Sequence, residues 1–142
     1  LAGSRLCFLD SGPGLVAPDA LLWLRDEVAA SRRREYLFVH HPPLLAGVPY
    51  MDHNYPLVNG ADVARALEAA PSGAAVFCGH YHCARDVFRG RVAVHITPST
   101  LFQLDPDADD AVILDHPPMC RLIEIGDDGY RTWVRMLDQA GA

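Results

Sequence analysis

Four histidines stand where two short apolar runs end. His40 and His41 follow "YLFV", and His80 and His82 follow "AAVFC" and one glycine. Neutral imidazole is a good ligand for zinc, iron and manganese. Each pair alone is weak evidence for a metal, because a histidine at a strand end also satisfies backbone carbonyl groups. Sites in α/β sheets gather at the carboxyl ends of strands, so the two pairs converge if the runs form neighbouring strands.

The backbone after Gly79 decides which way the imidazole rings of His80 and His82 point. In an extended chain alternate side chains share one side, so both rings would lie together and Tyr81 would lie opposite. Gly79 has no Cβ and therefore permits a sharp bend or a close approach. Two rings on one side hold a single ion or address two adjacent ions.

The remaining histidines and the cysteines favour other roles. His95 alternates with Val94 and Ile96 in a predicted strand, which favours a structural role. His116 lies in a polar, proline-containing loop, and we expect it to be solvated. The four cysteines form no CxxC pair, which indicates a reduced, intracellular protein. Cys83 lies beside the second histidine pair, but a lone cysteine is more often not a ligand.

The order of predicted elements is typical of a mixed α/β fold. Strands are predicted in "RLCFLDS", "YLFVHH" and "AAVFC", and helices are predicted from Pro18 and within "ADVARALEAA". "DVFRGRVAVHI" predicts one hairpin, and "MCRLIEI" with "YRTWVRML" predicts another around "GDDG". We interpret "LLAGVPYMDHNYPLVNG" and "LDPDADDAVILDHPP" as loops. Residues 1–142 are therefore predicted to form one domain or part of one, α/β at first and antiparallel at the end.

Length and charge exclude several classes of partner. The chain has 142 residues and a formal net charge of -6, which disfavours a nucleic-acid backbone as the main partner. No apolar run approaches the roughly 20 residues of a membrane helix, and no signal segment is evident at the start. We therefore expect a cytoplasmic protein with neither a membrane nor a nucleic-acid partner. Because the sequence begins with Leu1, we expect a processed, trimmed or incomplete product.

"FVHHPP" followed by "GHYH" resembles the calcineurin-like metallophosphoesterases, whose motif order is D-x-H, G-D, G-N-H-[DE], H and G-H-x-H. "FLDSGPG" and "APDALLWLRDEVA" resemble the strand and helix before the fourth motif. "GVPYMDHNYPLVN", "VHITPSTLFQ" and "PPMCRLIEI" resemble the cyclic AMP phosphodiesterase-like branch. The resemblance covers nearly the whole chain and implies the C-terminal half of an αββα sandwich.

The resemblance also implies a set of site residues. His40 and His80 fall on ligands of one metal, His82 falls on a ligand of the other, and His41 is a neighbour of the ligands. The first three motifs are absent from the chain, so the bridging aspartate, the asparagine ligand and the catalytic histidine would lie upstream. The complete domain would hold two divalent ions, iron, manganese or zinc, with at most partial occupancy in this chain. No catalytic residue is assigned within it.

The implied function is hydrolysis of a small phosphoester by a metal-activated hydroxide. The substrate would be a phosphodiester of the cyclic-nucleotide type or a phosphomonoester. The candidate substrate-side residues are His53, Asn54 and His41, together with Asp52 and Tyr55. We expect the isolated chain to be inactive or very weak. Half of such a fold leaves a sheet edge and a face open, which also allows pairing with a second copy. The alternative is an inert fragment or interaction module that retains a partial tri-histidine metal site.

Overall fold

Nine strands and three helices occur in residues 5–137, the part of the chain that the computed structural model describes. The predicted domain also includes residues 1–4 and 138–142, which lie outside the described residues. The helices are α1 Pro18–Ala30, α2 Pro49–Asn54 and α3 Gly60–Glu68. The strands are β1 Leu6–Leu9, β2 Glu35–Val39, β3 Ala74–Cys78, β4 Arg85–Arg89, β5 Val92–Ile96, β6 Gln103–Leu104, β7 Ile113–Leu114, β8 Met119–Gly126 and β9 Gly129–Met136.

A five-stranded, mostly parallel sheet is the centre of the fold. Its strand order is β1-β2-β3-β5-β4, and only β4 runs antiparallel to its neighbour. This arrangement confirms the predicted mixed α/β class and is compatible with a metallophosphoesterase-type fold. Strands β2 and β3 are adjacent, with Phe38 opposite Phe77. The ends of the two strands that precede the histidine pairs therefore meet at one edge of the sheet, as predicted.

Helices α1 and α3 cover one face of the sheet. Leu24 and Val28 of α1 pack with Leu67 of α3 against alternate residues of the strands. The sequence pattern predicts that Leu22 and Trp23 widen the buried face of α1, and this is wrong. Their exposed fractions are 57% and 43%, because only a narrow stripe of this helix meets the sheet. No helix of the described residues is long and apolar enough to cross a membrane.

The opposite face of the sheet is only partly covered. Tyr36 and Phe77 are buried there beneath side chains of the β8–β9 hairpin, including Ile123 and Tyr130. At the β1 edge Phe8 remains 68% exposed. Its ring stacks on that of Phe38 with the centroids 5.0 Å apart. The two faces therefore differ strongly in how well they exclude water.

Two segments predicted as loops contain short regular elements. The segment after Pro43 includes α2, which has Pro49 in its first turn and Asp52 at a position where its carboxylate accepts hydrogen bonds from residues 46–48. The acidic segment 104–118 includes β7, which pairs with β6. Neither element has a measurable apolar period, because one has six residues and the other two. Both predicted hairpins are confirmed.

Candidate metal centre

His40, His41 and His80 form a cluster at the carboxyl ends of β2 and β3. Their candidate ligand atoms all lie within 4.8 Å of one another. The N–H of Gly79 donates to the carbonyl of His40 over 3.1 Å, which continues the contact between the two strands beyond their ends. His80 Nδ1 lies 3.2 Å from His40 Nε2. Three imidazoles that converge in this way fit the donor set that zinc, iron or manganese takes.

His41 is buried and is fixed by Ser11. Its Nδ1 lies 2.9 Å from Ser11 Oγ, and its backbone N–H donates to the same oxygen over 3.2 Å. A neutral ring with its proton on Nδ1 donates to Ser11 and leaves the Nε2 lone pair for an ion. Burial lowers the pKa of His41, and the neighbouring charge of His40 acts in the same direction. Sequence reasoning missed Ser11, although its place after β1 puts it at the same edge of the sheet.

His80 is held as a neutral ring with one nitrogen free. Its Nε2 donates to the carbonyl of Tyr55 over 3.2 Å, so the lone pair is on Nδ1, which faces His40. Burial lowers the pKa of His80 to about 4, and the charges of His41 and His40 contribute. Tyr55 also places its half-exposed ring near His80, with the centroids 6.4 Å apart.

His82 lies outside this three-histidine cluster. Its Nδ1 donates to the carbonyl of Phe102 over 3.1 Å, which leaves the lone pair on Nε2. The ring of Phe102 lies against that of His82, with the centroids 4.4 Å apart. Orientation by a backbone carbonyl is typical of histidines that bind metal.

Of the two backbone paths that the sequence leaves open after Gly79, extended or bent, the structure shows a bent one. His80 has φ 67° and His82 has φ 52°, so the chain turns at both histidines in the left-handed region. The sharp bend that the sequence assigns to glycine is thus made by the histidines. The alternation of side chains along a strand therefore does not apply to these two residues, because it holds only for extended backbone.

In the loop between the histidine pairs, Tyr55 contacts His80 of the cluster through its backbone carbonyl and its ring. His53 is exposed, and Asn54 donates its side-chain amide to the carbonyl of Tyr50 within the same helix. Asp52 bonds to the protein itself, because it accepts the hydroxyl of Tyr81 over 2.7 Å and three backbone N–H groups. Both carboxylate oxygens of Asp52 are therefore engaged by the protein, and its role towards a substrate stays a prediction.

The other residues with possible chemistry lie in the core or in solvent. His95 is 5% exposed, with Nδ1 2.8 Å from Asp86 Oδ1 and Nε2 2.7 Å from the hydroxyl of Tyr130. The predicted structural role of His95 is confirmed, and His116 is exposed as expected. Cys83 is buried in the helix-side core, and burial raises the pKa of its thiol to about 11. The thiol stays protonated at neutral pH, whereas the form of cysteine that binds metal is the thiolate.

Relatives with known names share most of this chain. A probable cyclic nucleotide phosphodiesterase of Fibrobacter succinogenes is 37% identical over 134 residues, which are 94% of this chain and 52% of the relative. Over most of its length the chain is therefore similar to part of a cyclic nucleotide phosphodiesterase. A 3',5'-cyclic adenosine monophosphate phosphodiesterase of Escherichia coli K12 is 31% identical over 113 residues, which are 79% of the chain and 41% of the relative.

A more distant relative is a glycerophosphodiester phosphodiesterase of Enterobacter lignolyticus, 29% identical over 71% of the chain. The chain spans about half the length of the curated relatives it matches, with 52%, 41% and 38% covered in these three. No family model matches the chain. The similarity therefore extends over most of this chain but only about half or less of each of these phosphodiesterases.

Proposed function

We propose that this chain supplies part of the dinuclear metal centre of a phosphoester hydrolase. The observation that carries the proposal is the contact between His40 and His80 at the sheet edge, where His80 Nδ1 lies 3.2 Å from His40 Nε2. The reaction class is supported by the relatives, which are named as cyclic nucleotide and glycerophosphodiester phosphodiesterases. We assign a small phosphodiester of the cyclic-nucleotide type as the substrate, with a phosphomonoester as the second choice.

In this proposal His40 and His80 hold one ion and His82 holds the other, as the resemblance to metallophosphoesterases implies. A bound pair of ions supplies Lewis-acid chemistry and lowers the pKa of water so that hydroxide is available near neutral pH. The chain's own contribution is orientation. The carbonyls of Tyr55 and Phe102 accept one N–H from His80 and His82 respectively, and each ring then presents its other nitrogen.

The proposal places this chain at the C-terminal half of the full phosphodiesterase domain. The bridging aspartate, the asparagine ligand and the catalytic histidine of the motif set have no counterpart in the 142 residues. The purified chain with added manganese is therefore expected to show no metal-dependent turnover of bis(p-nitrophenyl) phosphate. Robust turnover that disappears with a chelator would contradict the proposal that essential site residues lie outside these 142 residues. We also place the domain in the cytoplasm, without a nucleic-acid partner.

Metal binding tests the ligand set directly. Bound zinc or manganese per chain is measured by equilibrium dialysis and elemental analysis for single alanine variants. We expect His40→Ala and His80→Ala to abolish binding at the first ion and His82→Ala to abolish binding at the second. His116→Ala is the matched control, because His116 is an exposed loop histidine. Undiminished binding in His40→Ala and His80→Ala would refute the proposed centre.

The second candidate is a non-catalytic module with a mononuclear tri-histidine site. It is favoured by one observation, namely that His41 rather than His82 completes the compact cluster with His40 and His80. Three imidazoles hold one zinc ion and leave a fourth position open. Under this alternative the stoichiometry is one ion per chain, lost in His41→Ala and unchanged in His82→Ala. The dinuclear proposal predicts the reverse pattern for these two variants.

A further inference from the structure

Tyr81 is the central residue of the "GHYH" turn and is fully buried. It is the largest fully buried side chain among the described residues, and it packs in the core on the helix side of the sheet. Its hydroxyl donates to Asp52 Oδ1 over 2.7 Å. The same carboxylate accepts the backbone N–H groups of Ala46, Gly47 and Val48 at 2.8–3.0 Å. Tyr81 is thus tied to a carboxylate that is itself fixed by a backbone turn.

The residues on either side of Tyr81 have strained backbone. His80 and His82 are the non-glycine residues with positive φ in the described part of the chain. A left-handed residue with a Cβ is strained and persists only where its surroundings determine it. The bond from His80 to the Tyr55 carbonyl is exposed to solvent, whereas the ring of Tyr81 is excluded from it. The buried residue is therefore the stronger constraint on the turn.

We propose that the Tyr81–Asp52 hydrogen bond holds the "GHYH" turn in its left-handed form and thereby positions His80 and His82 for metal. Tyr81 is a positioning residue, because its ring points into the core and its hydroxyl contacts Asp52. When its ring and hydroxyl are fixed, the backbone on both sides of it is fixed, and so are the directions of both imidazoles. The link to metal rests on the proposed function, whereas the link to backbone conformation does not.

The first experiment measures backbone conformation in the metal-free 142-residue chain. Amide-to-Hα scalar couplings and backbone chemical shifts report the sign of φ at His80 and His82 by NMR. Tyr81→Phe removes one hydroxyl and keeps the ring. Tyr130→Phe is the matched control, because its hydroxyl also makes a 2.7 Å bond, to His95 on the other face of the sheet. We expect positive φ in the wild type and in Tyr130→Phe, and its loss in Tyr81→Phe.

The second experiment measures zinc affinity by competition with a chromophoric chelator. Tyr81→Phe is expected to weaken zinc binding about tenfold, because mutation of a residue that orients a metal ligand typically lowers metal affinity by that order. Tyr130→Phe is expected to change zinc affinity about twofold or less. Thermal unfolding of both variants separates positioning from general destabilisation. If Tyr81→Phe does not fold, Asp52→Asn is the second variant, and we expect it to weaken binding in the same direction.

The proposal is overturned if Tyr81→Phe keeps positive φ at both histidines, or if it binds zinc as tightly as Tyr130→Phe. Absence of zinc binding in the wild-type chain would instead refute the proposed metal centre. In that case the NMR couplings still decide the role of Tyr81, so the two failures are distinguished.

Discussion

His80 shows how the fold prepares an imidazole before any ion binds. One nitrogen donates to the Tyr55 carbonyl, and the other faces His40, so the ring cannot turn without breaking a hydrogen bond. Burial and the neighbouring histidine charges lower its pKa to about 4. The ring is therefore neutral at physiological pH, which is the form that a metal ion requires.

The lowered pKa of His80 makes the stability of the metal-free chain depend on pH. The ordinary pKa is 6.5 and the folded value is about 4, so between these values the unfolded chain binds the proton more readily. The free energy of unfolding should therefore fall as pH is lowered from 6.5 towards 4 and should lose this dependence below 4. Urea unfolding of the wild type and of His80→Asn with a chelator present measures the difference in slope. His116→Asn, at an exposed position, should keep the wild-type slope.

At the scale of elements, the start of β3 depends on a close approach at Gly73. Its φ is 79°, and an added Cβ would lie 2.6 Å from the carbonyl oxygen of Arg91. That oxygen accepts the N–H of Ala74, so it cannot move away without loosening the contact between β3 and β5. Glycine is therefore required here both by conformation and by space.

Gly73→Ala is expected to destabilise the chain more than Gly47→Ala. Gly47 has φ 68° but no atom within 4 Å of an added Cβ, so it isolates the conformational cost. That cost is about 1–2 kcal/mol for a left-handed residue. The clash at Gly73 adds about 1–3 kcal/mol. Chemical denaturation of the two variants gives the comparison, and equal losses would show that the backbone near Arg91 yields without cost.

The elements that the sequence predicts are those with a local signal. Apolar runs predict β1, β2 and β3, the Arg89-Gly90 turn predicts the β4–β5 hairpin, and adjacency of β2 and β3 brings His40 near His80. The missed features depend on residues far apart in the chain. The pairs Ser11 with His41 and Asp52 with Tyr81 are separated by 30 and 29 residues. Contacts of this range leave no period or turn motif in the sequence.

The left-handed turn at "GHYH" belongs to the same class of missed features. Its strain is compensated by the burial of Tyr81 and by the bond of Tyr81 to Asp52, and neither can be read from the four letters of the motif. The sequence leaves an extended chain and a bend at Gly79 both open, since glycine adopts left-handed backbone at least cost. The structure shows the bend at the two histidines instead.

For the whole molecule, the two faces of the central sheet differ in how much of their apolar surface is buried. The helix-side core includes fully buried residues such as Leu37 and Val76, whereas Phe8 at the β1 edge is 68% exposed beside Phe38. A monomer that leaves this aromatic surface in water should bind a dye such as anilinonaphthalene sulfonate there. The same surface is where the expected pairing with a second copy, or with the rest of a phosphodiesterase domain, would bury apolar area.

Phe8→Ser distinguishes an open face from a covered one. If the face is open in solution, the substitution should reduce dye fluorescence and change the free energy of unfolding by less than about 1 kcal/mol, because little burial is lost. Leu37→Ala is the comparison, since Leu37 is fully buried and truncation of such a residue costs about 2–5 kcal/mol. Should Phe8→Ser cost as much as Leu37→Ala, the face is covered in solution. Sedimentation of wild type and variant then shows whether the cover is a second copy, because Phe8→Ser would convert a dimer to a monomer.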